Sequence, residues 1–192
     1  MPLAAVHLVA PHLFGLLDRD SPLALSDQDR AGDHGDKGDN QEALQYHYIA
    51  LEISQEIGDK PTIGTSYNNI GNINFNIGNY PEALENFFAS LNIKEEIDDK
   101  QGIAVAYNNI GSTYRHQGNY PEALRNHLAA LKIYDEIADK KGIASAYNNI
   151  GLIYKSQGNY PEALKNYFAS LKIKEEIGDK RGIASSYGNI GN

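Results

Sequence analysis

Gly118-Asn119-Tyr120-Pro121-Glu122-Ala123-Leu124 stands near the middle of the chain, and the same seven residues run from Gly78 to Leu84 and from Gly158 to Leu164. The offset is 40 residues each time. It also relates Tyr67-Asn68-Asn69-Ile70-Gly71 to Tyr107 through Gly111 and to Tyr147 through Gly151, and it joins the Asp-Lys pairs at 59–60, 99–100, 139–140 and 179–180. Self-similarity at a fixed period of this size marks an array of stacked units.

Each unit divides into two helical patterns. Ile103, Tyr107, Ile110 and Tyr114 follow one another at steps of four, three and four, which is one apolar stripe on a 3.6-residue helix. Asp99 is placed to accept orphan amide bonds at its start, and Gly118 to end it. The second helix opens at Asn119-Tyr120-Pro121, where a first-turn proline forfeits no intrahelical bond. It continues through Ala123, Leu124, His127, Leu128, Leu131 and Ile137, about 17 residues or roughly 25 Å at 1.5 Å per residue. Pro61 checks the register: it replaces Gln101, Lys141 and Arg181 two residues past Asp59, a position that must lie in a first turn or outside the helix. No useful length of the chain alternates with period two, so strands are excluded. The unit is an antiparallel helical hairpin.

These residues resemble the tetratricopeptide repeats. Tyr147, Ile150, Gly151 and Tyr154, then Gly158, Tyr160, Ala163, Tyr167 and Ser170, look like that family's order of aromatic, leucine, glycine, tyrosine, then glycine, tyrosine, alanine, aromatic, alanine. The usual unit has about 34 residues; the longer one here implies a longer second helix and an Ile-Gly-Asp-Lys turn. It is similar to the long repeats of cell-polarity scaffolds, kinesin light chains and the sensory arms of bacterial signalling proteins. The resemblance covers residues 41–192 and implies an all-α solenoid, a right-handed superhelix of hairpins. It implies a protein–protein interaction module in a larger signalling or scaffold protein.

The small residues have a physical reason of their own. Gly71, Gly111 and Gly151 are expected to face Ala83, Ala123 and Ala163, bringing the helix axes to the short end of the 8–10 Å range. Phe87, His127 and Tyr167 would fill the wider part of each hairpin, with any buried histidine N–H satisfied. One hairpin leaves an apolar face uncovered, so units must stack, and stacking creates an extended concave surface.

Composition narrows the function. The chain has no cysteine, which excludes disulfides and thiolate metal sites and permits a reducing, cytoplasmic setting. A formal charge of −8 disfavours a nucleic-acid partner, and the basic residues form no stripe. No apolar run reaches the length of a membrane span.

Residues 1–40 read as an N-terminal extension or a degenerate cap. Residues 2–17 are apolar but lack the basic start of a secretory signal. The polar, glycine-rich stretch from Ser26 to Asn40 holds Asp27, Arg30 and Ala31 where a first helix should carry aromatic, isoleucine and glycine. Asp33-His34-Gly35-Asp36-Lys37-Gly38-Asp39 invites a calcium reading, yet the loop template leaves Ala31 and Gly38 at ligand positions. It reads instead as a solvated acidic linker. A second helix follows from Gln41, then complete units from about Lys60, Lys100 and Lys140. After Lys180 a first helix begins and the sequence stops at Asn192, which is read as truncation within a repeat, with a homodimer through the uncovered end as one way to bury it.

No HExxH, phosphate loop or nucleophile–base arrangement is present, so the sequence predicts no enzyme, no cofactor and no metal. The candidate site is the peptide-binding groove. Asn69, Asn109, Asn149 and Asn189 sit on the first helix, and an asparagine there offers the donor and acceptor that an extended peptide backbone needs. Asparagine is a mediocre helix former, so local propensity does not explain its recurrence. The alternative for one member of each pair, with Asn68, Asn108 and Asn148 the leading candidates, is an interhelical tie. The family's concave positions, carried onto this chain, add Asn72, Phe75, Arg115, His116 and Lys155. Arg115 and Lys155 suit a peptide rich in carboxylates. The family's carboxylate clamp is not reproduced, because two of its basic positions hold Asn68 and Val105 or Ser145. The competing reading is a self-assembly module whose repeats stack end to end.

Overall fold

The computed structural model describes residues 35–191, so the apolar N-terminal stretch and the rest of the extension up to His34 lie outside the described residues, as does Asn192. Eight helices and no strand are found among the described residues: α1 Gly35–Ile57, α2 Lys60–Asn76, α3 Tyr80–Glu96, α4 Lys100–His116, α5 Tyr120–Glu136, α6 Lys140–Ser156, α7 Tyr160–Glu176 and α8 Lys180–Gly191. The pairs α2/α3, α4/α5 and α6/α7 are antiparallel hairpins. Each packs on the next through its second helix, and the first helices α2, α4 and α6 also touch one another. The architecture is an all-α solenoid.

Both helices of every complete hairpin have 17 residues. The second helix is thus as long as the first, and one kind of turn bounds both. At Gly118, with φ +77°, Gly118 N–H bonds Arg115 C=O and Asn119 N–H bonds Tyr114 C=O, a Schellman closure that stops α4 in one residue. The same pair of bonds recurs at every turn, and the residue that completes it, Asp or Asn, becomes the N-cap of the following helix. Asp99 Oδ1 accepts from Gly102 N–H at 2.9 Å, and Asp139 and Asp179 repeat the bond at 3.0 Å. Burial opposes the charge of Asp99, yet the Gly102 bond, the largest influence, and Lys94 at 2.9 Å hold its carboxyl below the ordinary value.

Helix α1 begins at Gly35, six residues ahead of the expected start at Gln41. Gly38-Asp39-Asn40-Gln41 stands where the other units have Gly-Asn-Tyr-Pro. Without the proline nothing bars the helix from running back through this position, so residues 35–40 are helix and not linker.

The buried side of α4 differs from the stripe read in sequence. Ile110 is fully buried, but Ile103, Tyr107 and Tyr114 are only half-buried, and the rest of the core contribution is Ala104, Ala106, Gly111 and Thr113. A first helix lies between its own partner and the preceding second helix, and small residues on two sides let both approach.

Two columns of glycine serve these two contacts. Gly71, Gly111 and Gly151 do not simply oppose alanines. A Cβ at each would stand 2.7 Å from Phe87 Cδ1, 2.9 Å from His127 Cδ2 and 2.6 Å from Tyr167 Cδ1, so the aromatic ring lies directly over the glycine. At Gly151 the alanine expected is also met, with Ala163 O at 3.2 Å from that Cβ. The second column, Gly102 and Gly182, receives the Lys94 and Lys174 stems from the preceding hairpin, and Gly142 receives the Tyr134 ring. Ser90 Oγ donates to Gly64 O and Ser170 Oγ to Ala144 O, both at 2.7 Å, tying the two helices of a hairpin inside the core. Lys60–Glu96, Lys100–Glu136 and Lys140–Glu176 repeat one ion pair between the two helices of each hairpin, but all are about half exposed and contribute little.

Candidate functional site

Helix periodicity puts Asn108, Asn109 and Ser112 on one side of α4, and the contacts among α2, α4 and α6 join the corresponding sides into one continuous first-helix face. The asparagine pairs form a ladder along it. Asn109 Nδ2 donates to Asn68 Oδ1 at 2.9 Å, Asn149 Nδ2 to Asn108 Oδ1 at 2.9 Å, and Asn189 Nδ2 to Asn148 Oδ1 at 2.8 Å. Both members of a pair take part: the second reaches back to the first of the preceding hairpin. Asn72 joins as a longer acceptor from Asn109 at 3.4 Å. Asn69 holds the equivalent place in α2 and is half-buried. The side-chain oxygens of Asn109 and Asn149 accept no bond from a described side chain, so each keeps an acceptor at the face.

Asn108 has a second partner. His127 Nδ1 donates to its Oδ1 at 3.1 Å, which fixes the tautomer and leaves Nε2 a buried acceptor with no partner among the described residues. Burial, with a smaller contribution from Arg115, lowers the His127 pKa from 6.5 to about 4. The histidine is thus neutral, with its N–H satisfied as the sequence led one to expect and its acceptor nitrogen left over. Tyr167, in the same slot one unit on, buries a hydroxyl that also lacks a partner.

At the C-terminal end of the first helices, Phe75, Tyr80 and His116 close into an aromatic cluster. The His116 ring stands edge-on to Phe75 at 5.0 Å, and Tyr80 lies 5.8 Å from both. Arg115 Nη2 donates to His116 Nε2 at 2.9 Å. Desolvation, then the Arg115 charge, holds the His116 pKa below its ordinary value, so a neutral acceptor faces the guanidinium. Arg115 and Lys155 are both half-buried and enter no ion pair among the described residues.

The structure therefore brings Phe75, Arg115 and His116 together, couples Asn72 to Asn109, and places Asn149, Asn189 and Lys155 in neighbouring hairpins. Sequence reasoning missed Tyr80. It belongs to the repeated heptapeptide and read as scaffold, although Phe75 of the same hairpin and His116 of the next were a signal that its ring had company. No group of three or more histidine, cysteine or acidic residues among the described residues is arranged to hold a metal ion. None of the described helices is long and apolar enough to cross a membrane.

A stack of helical hairpins joined by Schellman turns, with small residues at both contacts, defines the class of helical-repeat solenoids. The model of the tetratricopeptide repeat family matches residues 22–96, 62–136, 102–176 and 142–192, and the chain belongs to that family. Its members are in general protein–protein interaction modules. The first match begins at residue 22, inside the stretch read as an extension.

Among solved structures, BtubC (BKLC) from P. vanneervenii is similar at a TM-score of 0.73 and 20% identity, with 82% of this chain and 66% of that chain covered. The apo form of RapI gives 0.72 and 22% identity over 80% of this chain and 56% of that one. A Rap protein complexed with competence and sporulation factor gives 0.72 and 20% identity over 80% and 43%. The chain thus spans only about two fifths to two thirds of these proteins, and at such identities the likeness is one of fold. No curated protein matches the sequence.

Proposed function

We propose that the first-helix face is a concave groove that binds an extended, carboxylate-bearing segment of a partner protein, as part of a larger signalling or scaffold assembly. Arg115 carries the reading. It is a half-buried cation in a chain of net charge −8, steadied by His116 and without a carboxylate among the described residues. A partly desolvated guanidinium favours a charge-assisted, bidentate bond over its hydrated state when an acid is offered. Lys155 repeats the charge one hairpin on, and Phe75 with Tyr80 supplies an aromatic wall against His116, the partner of Arg115.

The asparagines fit this scheme in a modified form. Their amide N–H groups hold adjacent hairpins, so Asn109 and Asn149 would present Oδ1 to the N–H groups of an extended backbone, already oriented by the ladder. Asn69 and Asn189 would continue the line. The reading is supported by a Rap protein of similar fold that forms a complex with competence and sporulation factor. Display selection of random peptides at moderate salt should return sequences enriched in Asp and Glu. Selection of basic or charge-free peptides would contradict the assignment.

A second reading, association of two copies through α8, has one observation in its favour: Tyr187 is 58% exposed beside half-buried Ile183 and Ile190. Light scattering across a dilution series decides it, because a Tyr187→Ser variant should then shift the chain to monomer. A parent chain that is monomeric throughout would reject it.

A further inference from the structure

Tyr48, Phe88, Leu128 and Phe168 form a column at the 40-residue offset on the second helices, and they are 52%, 38%, 48% and 54% exposed. Phe88, Leu128 and Phe168 each follow immediately after the buried Phe87, His127 or Tyr167, so on these helices the column points away from the first helices. Isolated exposed apolar residues are ordinary, but four in one line make a stripe.

The surroundings of the stripe change along the array. Around Phe88 the neighbours three residues back and four ahead are Glu85 and Asn92; around Leu128 they are Arg125 and Lys132, and around Phe168 they are Lys165 and Lys172. All six are exposed. Arg125 and Lys165 lean on Glu122 and Glu162 of their own helices, at 2.7 and 3.5 Å, while Lys132 and Lys172 enter no ion pair among the described residues. Asp135 and Glu175 lie only at the far end of each face. Leu164, also exposed, extends the apolar strip one turn beyond Phe168. Cations therefore border the stripe on α5 and α7 alone, in a molecule whose overall charge has the opposite sign.

We propose that the outer faces of α5 and α7 dock an amphipathic helix of a partner protein whose apolar ridge is bordered by carboxylates. Leu128, Leu164 and Phe168 receive the ridge, and Lys132 and Lys172 receive the acids. The anchors at 164 and 168 are spaced as on a helix, so a partner with i, i+3 and i+4 apolar residues can match them turn for turn. The site lies on the second helices and is independent of the first-helix face.

A fluorescent 18-residue helix with leucines at that spacing and glutamates beside them is the probe, read by anisotropy against the whole chain. It should bind at least tenfold tighter than a version with lysines in place of glutamates. Affinity should fall at least tenfold in a Leu128→Ser/Phe168→Ser variant, with circular dichroism unchanged. Lys132→Glu/Lys172→Glu should reverse the preference between the two peptides, whereas Arg115→Glu should leave both affinities as they were. A scrambled peptide of the same composition binding equally well, or a stripe variant binding like the parent, would overturn the proposal. So would a chain that pellets with phosphatidylserine vesicles while ignoring the glutamate helix, since the surface would then be a lipid contact.

Discussion

His127 occupies the slot that Phe87 and Tyr167 fill in the neighbouring hairpins, and its folded-state pKa of about 4 lies below the ordinary 6.5. The unfolded chain therefore takes up the proton first as pH falls. The contribution of neutral His127 to stability is complete above 6.5 and is lost progressively between 6.5 and 4. At 1.36 kcal/mol per pKa unit the loss approaches about 3 kcal/mol. Urea melts of His127→Phe should accordingly show a stability gain over the parent that widens between pH 7.5 and 4.5, and a pH-independent difference would reject the burial argument. Tyr167→Phe removes a buried hydroxyl that has no partner among the described residues, so it should be neutral or stabilising by up to about 1 kcal/mol. A third residue is visible only in the backbone. Ala138 sits at φ +56° where Gly58 and Gly178 stand in equivalent turns, and Ala138→Gly should raise stability by about 0.5–1 kcal/mol by relieving the left-handed strain. A lower melting midpoint for that variant would contradict it.

Helices and turns are the scale at which the sequence was most readable. The 40-residue period, the aspartate caps, the first-turn prolines and the closing glycines are all encoded within a few residues of where they act. What stayed hidden depends on how one helix meets another. The sequence places Gly111 at a close contact but does not say that the His127 ring lies directly over it. Gly111→Leu should therefore cost about 1–3 kcal/mol, the range of core overpacking, reduced somewhat by leucine's better helix propensity. A change under half a kcal/mol in a urea melt would reject the contact. The asparagine pairs show the same boundary. Their recurrence was plain, yet the ladder runs from the second asparagine of one unit to the first of the unit before, a step of 41 residues that only the rotation between hairpins determines. Asn149→Ala loses one hydrogen bond worth about 1 kcal/mol and regains part of it in helix propensity.

At the scale of the whole molecule, an acidic chain of identical-looking hairpins becomes directional through the few positions where the repeats differ. Phe75, Arg115 and Lys155 share one column, as do Phe88, Leu128 and Phe168, and neither column could be sorted into scaffold or site until its exposure and neighbours were known. The core serines tie the two helices of a hairpin without entering these columns. The groove assignment rests on the cations. Titration calorimetry of a display-selected acidic peptide against the parent and against Arg115→Glu/Lys155→Glu tests it most directly. The account predicts an affinity loss of at least a hundredfold for the reversed variant, about 2.7 kcal/mol at 1.4 kcal/mol per tenfold, with urea stability within about 0.5 kcal/mol of the parent because neither side chain enters an ion pair among the described residues. Equal affinity for the parent and the reversed variant would show that the peptide lies elsewhere and would contradict the assignment of the first-helix face.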